Sequence, residues 1–375
     1  MLFDERPKDN VGDLFDREKE IQQFTESFGY KRPLIIISGQ RRVGKTSLLK
    51  TMLNQNVKYS IFVDLRNLSS RRHVTKEEVI RLIQNSLQDF LNSHKEITEK
   101  LKELAKSVKG VSVVEFGIEL EHKPERELDL RGLFDKINEW AEKNEQTVVL
   151  AIDEAQEFRK SQHFNMGGII ASLYDNCKNI VVILTGSEIG LLHEFIGKDN
   201  PKAELYGRSY EEIKVEPLTK GKSVEFLTIG FAQYGLGIEK IPIGQDAIQV
   251  ASEKLGGILG WLIKFGIKCI QRKQIIVEFL SEIEGEGSKL AKLEFDNFLA
   301  TREASERYTT IMKAVAAAPA TWKAIKTNVA VETKKKIYSK NISDLLSTLE
   351  KSGFIEKIGE EYSIVDPLLK RAFTK

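Results

Sequence analysis

The chain has 375 residues, 41% of them hydrophobic and 30% charged, with a net charge of +2. That length predicts two or three domains, and the near-neutral balance gives no chain-wide case for a nucleic-acid partner. No apolar stretch reaches the roughly 18 residues a membrane span needs, and Met1-Leu2-Phe3-Asp4-Glu5-Arg6 lacks the basic-then-apolar layout of a signal peptide. Two isolated cysteines, Cys177 and Cys269, are expected as buried thiols in a reducing, cytoplasmic compartment. The five histidines are scattered, and none pairs with a second ligand at helical spacing.

In chain order, the first strong signal is an apolar run at 34–37, predicted as a strand, followed by Gly39-Gln40-Arg41-Arg42-Val43-Gly44-Lys45-Thr46. This is a complete G-x-x-x-x-G-K-[ST] phosphate-binding loop, and Ser47-Leu48-Leu49-Lys50 after it favours a helix. The glycines let the backbone wrap a phosphate, and the loop N–H groups and helix N-terminus point at the anion. Lys45 is expected to reach the β- and γ-phosphates and the Thr46 hydroxyl to hold Mg²⁺. Val43, Gly44 and Ser47 complete the expected contact set. Arg41 and Arg42 either extend the positive charge around the phosphates or are solvated.

Further strands are predicted at 59–64, 148–152, 180–184 and 213–215, separated by helical patterns such as 76–91 and 130–143. An alternating stretch at 111–120 reads as an inserted strand or hairpin. The pattern implies an α/β fold with a parallel sheet covered by helices. The run Val148-Val149-Leu150-Ala151-Ile152 ends in Asp153-Glu154. Alternation sends these two carboxylates different ways, which suits two jobs: Asp153 for Mg²⁺, Glu154 to orient and deprotonate an attacking water. A kinase whose nucleophile is a substrate hydroxyl has no need of that Glu, so hydrolysis is favoured. The end of the next strand, Thr185-Gly186-Ser187, offers a hydroxyl for the water or the γ-phosphate; Ser187 and Thr185 are the candidates.

After Pro217 the pattern turns helical at 218–234, 245–255 and 259–273, an all-α unit. Glu284-Gly285-Glu286-Gly287-Ser288 reads as a linker. From Tyr308 onward, helices at 308–318, 322–328 and 340–351 precede a hairpin at 354–358 and 362–365, the order of a winged helix-turn-helix. The expected division is 1–217, 218–287 and 288–375. Residues 300–375 carry 14 Lys and Arg against 9 Asp and Glu, so any DNA contact belongs here, with Lys334-Lys335-Lys336 and the polar face of 340–351 as candidates. Asp344 on that face opposes it.

In this order these pieces resemble the AAA+ ATPases, and more narrowly the archaeal ATPase family grouped with the STAND NTPases, over nearly the whole chain. The resemblance implies an ASCE-type P-loop core, an all-α lid and a winged helix, with ATP/ADP and Mg²⁺ as ligands. It includes the entry motif Leu14-Phe15-Asp16-Arg17-Glu18, which implies base or ribose contacts from Phe15 and Arg17; the alternative is an amphipathic first helix with an Asp cap. It implies an arginine finger at Arg208, acting on a neighbour's γ-phosphate or its own; a plain surface arginine is the alternative. Gly256-Gly257-Ile258-Leu259-Gly260-Trp261 looks like the family's lid turn, with Leu259 where the family has proline and Lys264 as a stand-in for a sensor arginine. The resemblance also implies a switch with a possible nucleotide-dependent homo-oligomer. The winged helix would act as an intramolecular brake, contact a partner protein or bind DNA.

Overall fold

The computed structural model describes residues 1–114, 117–120, 128–161, 163–236, 242–300, 302–334 and 337–374. In the first unit α1 (Glu18–Gly29) leads into β1 (Leu34–Ser38), α2 (Lys45–Asn56), β2 (Tyr59–Asp64), α3 (Lys76–Ser93) and α4 (Lys95–Ala105). An antiparallel pair follows, β3 (Val111–Val114) and β4 (Gly117–Leu120), where one strand or hairpin was expected. Then come α5 (Leu130–Lys143), β5 (Val148–Asp153), α6 (Met166–Asn176), β6 (Ile180–Gly186), α7 (Ile189–Phe195) and β7 (Glu211–Lys214).

The five main strands form a parallel sheet in the order β2-β5-β6-β1-β7. The three central strands, β5, β6 and β1, read as continuous apolar runs because both faces are covered. Leu34 and Ile36, Leu150 and Ile152, and Val182 and Leu184 face one core. Ile35 and Ile37, Val149 and Ala151, and Val181 and Ile183 face another, formed with α1 and α2. Between β1 and β5 lies β6, so its C-terminal end falls between the phosphate loop and the acid pair.

The lid comprises α8 (Lys220–Gln233), α9 (Pro242–Lys254) and α10 (Leu259–Arg272). Its core, around Trp261, Phe226, Phe231 and Phe265, also takes in Leu2 and Phe3 from the N-terminus. Next is α11 (Glu278–Ala300), a single 23-residue helix. It corrects the linker expectation: Glu284-Gly285-Glu286-Gly287-Ser288 lies in its interior. A Cβ at Gly287 would meet Leu368 Cδ1 at 2.3 Å and the Trp261 ring at 3.3 Å, so this glycine permits close packing and confers no flexibility. Glu284 is buried, paired with Arg371 at 3.0 Å and Lys254 at 3.6 Å. The first half of the helix packs into the lid core and the second into the next one, so it spans the expected division at 287.

The last unit has α12 (Ser305–Ala317), β8 (Ala320–Thr321), α13 (Trp322–Thr333), α14 (Ser339–Lys351), β9 (Ile355–Ile358), β10 (Glu361–Ile364) and α15 (Pro367–Thr374). Three helices and a β8-β10-β9 sheet make a winged helix. Ile342, Leu345, Leu346 and Leu349 form the buried stripe of α14. The closing α15, which buries Leu368 and Leu369, has no counterpart among the expected elements. Lys335 and Lys336 lie outside the described residues, and Lys334 is exposed.

Candidate active site

The phosphate loop closes on itself. Gly44 stands at φ 104° as the cap of α2, a conformation that favours glycine. At Gly39, φ 155°, a Cβ would sit 2.3 Å from the Val215 carbonyl oxygen. Lys45 is buried and its Nζ donates to the Gln40 carbonyl at 2.8 Å, arching the loop over the helix N-terminus that attracts an anion. Burial pushes the Lys45 pKa down, against the charges of Glu154 and Asp153. An entering polyphosphate would therefore favour the charged amine. The Ser47 hydroxyl accepts from the Lys8 N–H at 3.1 Å, so the N-terminal segment crosses the loop.

The two carboxylates separate as alternation predicts. Asp153 is fully buried at the end of β5 and accepts from the Thr46 hydroxyl at 2.9 Å. Thr185 Oγ1 donates to its other oxygen. Burial pushes the Asp153 pKa up, and the Thr185 hydrogen bond opposes this. Glu154 stands in the left-handed region at φ 57°, ψ 48°, a conformation that persists where the surroundings impose it. Its N–H donates to Thr185 Oγ1 at 3.1 Å. Its Oε2 accepts from the Ser187 hydroxyl at 2.7 Å, the Ser187 N–H at 3.1 Å and Gln156 Nε2 at 2.5 Å. Against the upward push of burial, Lys45 and these hydrogen bonds hold the Glu154 carboxylate below its ordinary range. It is therefore ionised at neutral pH, as a base must be.

Lys45, Thr46, Glu154, Gln156 and Ser187 line a cavity of about 850 Å³, and Asp153 and Thr185 lie buried behind them. One wall is apolar: Phe15 and Phe226 pack edge to face with centroids 5.4 Å apart, joined by Leu14, Leu259 and Ile263. An adenine-sized ring suits such a wall. Thus Leu259, which replaces the family's proline, still faces the cavity. Arg17, expected as a base or ribose contact, is buried and lines the same cavity beside Phe15. Its three hydrogen bonds go to the backbone carbonyls of Asp16 (2.7 Å), Val43 (3.1 Å) and Glu216 (3.0 Å), bracing the phosphate loop against the segment after β7. The cap of α1 is Arg17 itself and makes no side-chain bond, so the Asp-cap alternative fails.

Arg41 and Arg42 line the same cavity and are half-buried in ion pairs. Arg41 pairs with Glu188 at 2.6 Å and Glu294 at 3.4 Å. Arg42 pairs with Glu294, lies 3.7 Å from Asp366 and stacks on Trp261 at 4.2 Å. Arg208 is not among the residues lining the cavity; Asp175 holds it through bonds of 3.0 and 2.5 Å. Lys264 is likewise outside, 3.6 Å from Glu5. Gln156, Glu188, Glu294 and Asp366 were not expected; only Gln156, two positions after the acid pair, had any signal in the chain. Among the described residues no three His, Cys, Asp or Glu converge on a metal position. The facing hydroxyl of Thr46 and carboxylate of Asp153 are hard oxygens, and they fit a divalent cation that completes its shell with phosphate and water.

Residues 14–265 match the model of an ATPase domain predominantly from Archaea. Residues 302–365 match the MCM protein C-terminal winged helix-turn-helix domain. Among solved structures, the Walker-type ATPase PABY2304 of Pyrococcus abyssi is 33% identical, with a TM-score of 0.81 over 100% of both chains. The ORC2 protein of Aeropyrum pernix, described in ADPNP–ADP complexes, has the same fold at 12% identity and TM-score 0.60, over 99% of this chain and 95% of that one. No curated protein matches. Among the described residues no helix is long and apolar enough to cross a membrane. A nucleotide-binding P-loop core and a winged helix thus share one chain, which belongs to the ATPase domain family predominantly from Archaea.

Proposed function

We propose that the protein binds ATP with Mg²⁺, hydrolyses it, and works as an AAA+/STAND-type switch whose nucleotide state moves the lid and winged helix. The observation that carries this reading is the division of the acid pair. Asp153 is held toward Thr46 at 2.9 Å, and Glu154 is held toward Ser187 at 2.7 Å in the same cavity as Lys45.

Thr46 and Asp153 would hold Mg²⁺, which supplies positive charge to the phosphate oxygens. Lys45 would exchange the Gln40 carbonyl for the β- and γ-phosphates. The hydrogen bonds to Glu154 all fall on Oε2, so Oε1 is the oxygen available to a water. Glu154 would take that water's proton as its oxygen bonds to the γ-phosphorus, the bond to the bridging oxygen breaks, and ADP and phosphate leave. Ser187 and Gln156 would orient the base. Phe15 and Leu259 would sandwich or flank the adenine.

The working parts are the core at 1–217, the lid at 218–287 and the winged helix at 288–375, with α11 as a stiff strut across the last boundary. A reducing cytoplasm suits Cys177 and Cys269, which are buried and unpaired. Arg208, held on the outside by Asp175, would act in trans only, in a nucleotide-dependent homo-oligomer. Glu154→Gln tests the catalytic reading: hydrolysis should be lost and ATP binding kept, whereas a binding module without turnover would leave variant and parent alike.

A second reading, nucleotide-regulated DNA binding, is favoured by the winged-helix match and by the exposed Ser339, Lys340 and Asn341 at the start of α14. It predicts duplex binding that weakens steeply with salt and is lost in a Lys340→Glu, Lys334→Glu double variant.

A further inference from the structure

The two arginines of the phosphate loop reach out of the core in different directions, and their contacts are spread over several elements. Arg41 meets Glu188 in the β6–α7 turn at 2.6 Å, Glu294 on α11 at 3.4 Å, and the Phe354 ring after α14 at 5.8 Å. Arg42 turns to the lid side, where the Gly260 N–H donates to its carbonyl at 3.0 Å and its guanidinium covers Trp261. Glu294 is shared by both. The β6–α7 turn that carries Ser187 and Glu188 also lies directly under the winged helix. A Cβ at Gly190 would be 2.5 Å from Lys351 Cα, and one at Gly353 would be 3.3 Å from the Ser187 carbonyl oxygen. Lys351 closes this contact on Glu194 at 2.6 Å.

We propose that Arg41 reads the terminal phosphate of a nucleoside triphosphate, and that Glu188 and Glu294 are the counter-ions it leaves when that phosphate enters, so that a triphosphate but not a diphosphate loosens the winged helix from the β6–α7 turn. This rests on the ATP-binding reading above. Arg41, Glu188 and Glu294 line the same cavity as Lys45, Glu154 and Ser187, and the charge of Glu154 bears on Arg41. A triphosphate adds negative charge beside two carboxylates that are mostly buried, with side chains 15% and 29% exposed. It also offers a guanidinium oxygens it can pair with bidentately, as it does with a carboxylate. Losing Arg41 leaves Glu188 and Glu294 facing like charge. The contact on the winged helix through Phe354 and Glu294 then weakens. A ligand shifts such an equilibrium only by its differential affinity for the two states, and the terminal phosphate is the differential group.

The test uses the full chain with Mg²⁺ and either ADP or adenylyl imidodiphosphate. It reads dissociation constants and amide exchange in residues 187–196 and 339–354. In the parent the triphosphate analogue should raise exchange in both segments and ADP should not. Arg41→Gln should lose about tenfold in analogue affinity, keep ADP binding, and show no exchange difference between the two nucleotides. Arg41→Lys should restore part of both. Glu294→Gln should raise exchange without any nucleotide. Equal exchange with both nucleotides in the parent, or a parental preference for the analogue in Arg41→Gln, overturns the proposal. If the parent binds neither nucleotide, the ATP reading falls and this inference with it; if it binds both with unchanged exchange, this inference falls alone.

Discussion

Two glycines of α11, two positions apart, should respond differently to the same substitution. In an exposed helix interior, replacing Gly by Ala gains about 1 kcal/mol from backbone entropy. At Gly285 a Cβ meets nothing within 4 Å, so Gly285→Ala should stabilise by about 0.5–1 kcal/mol. At Gly287 the added methyl would lie 2.3 Å from Leu368 Cδ1 and 3.3 Å from the Trp261 ring, inside the roughly 3.5–4 Å separation of packed carbons. Overpacking of this kind costs about 1–3 kcal/mol. After the propensity gain, Gly287→Ala should be neutral to about 2 kcal/mol destabilising, so the pair should differ by about 1–3 kcal/mol. Urea unfolding followed by tryptophan fluorescence reads this, with Trp261 as a reporter at the contact. If both variants are unchanged, or both gain equally, the segment is not a packed helix and the strut between lid and winged helix is wrong.

Thr185→Val keeps the shape but removes the hydroxyl that donates to Asp153 and accepts from the Glu154 N–H. It should cost about 2–4 kcal/mol in urea unfolding, and a loss below about 0.5 kcal/mol contradicts the network. Glu212 is held at about 2, from an ordinary 4.5, chiefly by its hydrogen bond with His193 and also by Ser38 at 2.8 Å. Its folded pKa is depressed, so its contribution is complete above about pH 4.5 and fades as pH falls toward 2. Parent should therefore lose up to about 3 kcal/mol more than Glu212→Gln across that window, and parallel stability–pH curves would refute this. Burial pushes the Cys177 and Cys269 thiols up to about 12, so native protein should resist iodoacetamide at neutral pH while unfolded protein reacts at both positions. Rapid labelling of the native chain contradicts their placement.

What the chain makes legible is what local pattern encodes. Gly39 to Thr46 and the Asp153-Glu154 pair are contiguous, and the strands before them are apolar throughout because both sheet faces are buried. Thr185 and Ser187 were readable as a pair, but their division, one on each carboxylate, depends on β6 lying between β1 and β5. The long-range partners were not legible. Glu294 meets Arg41 and Arg42 across some 250 positions, and no spacing rule announces such a pairing. Glycines mislead for a related reason: Gly287 is a packing notch, and a linker glycine has the same letter. Nothing local in Met1-Leu2-Phe3 announces that Phe3 fills a slot where Cβ atoms at Gly230 and Gly266 would come within 2.2 and 2.6 Å of its ring. Arg17 and Arg208 likewise have partners that no spacing announces. One lines the cavity while fastened to backbone carbonyls, and the other is paired with Asp175 outside the cavity.

The central claim is hydrolysis of ATP with Glu154 as the base. The most direct measurement is phosphate release at saturating Mg²⁺–ATP by parent and Glu154→Gln, with bound nucleotide quantified in the same samples. The parent should turn over, and the variant should lose about 100-fold or more at equal occupancy. Equal rates in the two proteins would contradict that claim.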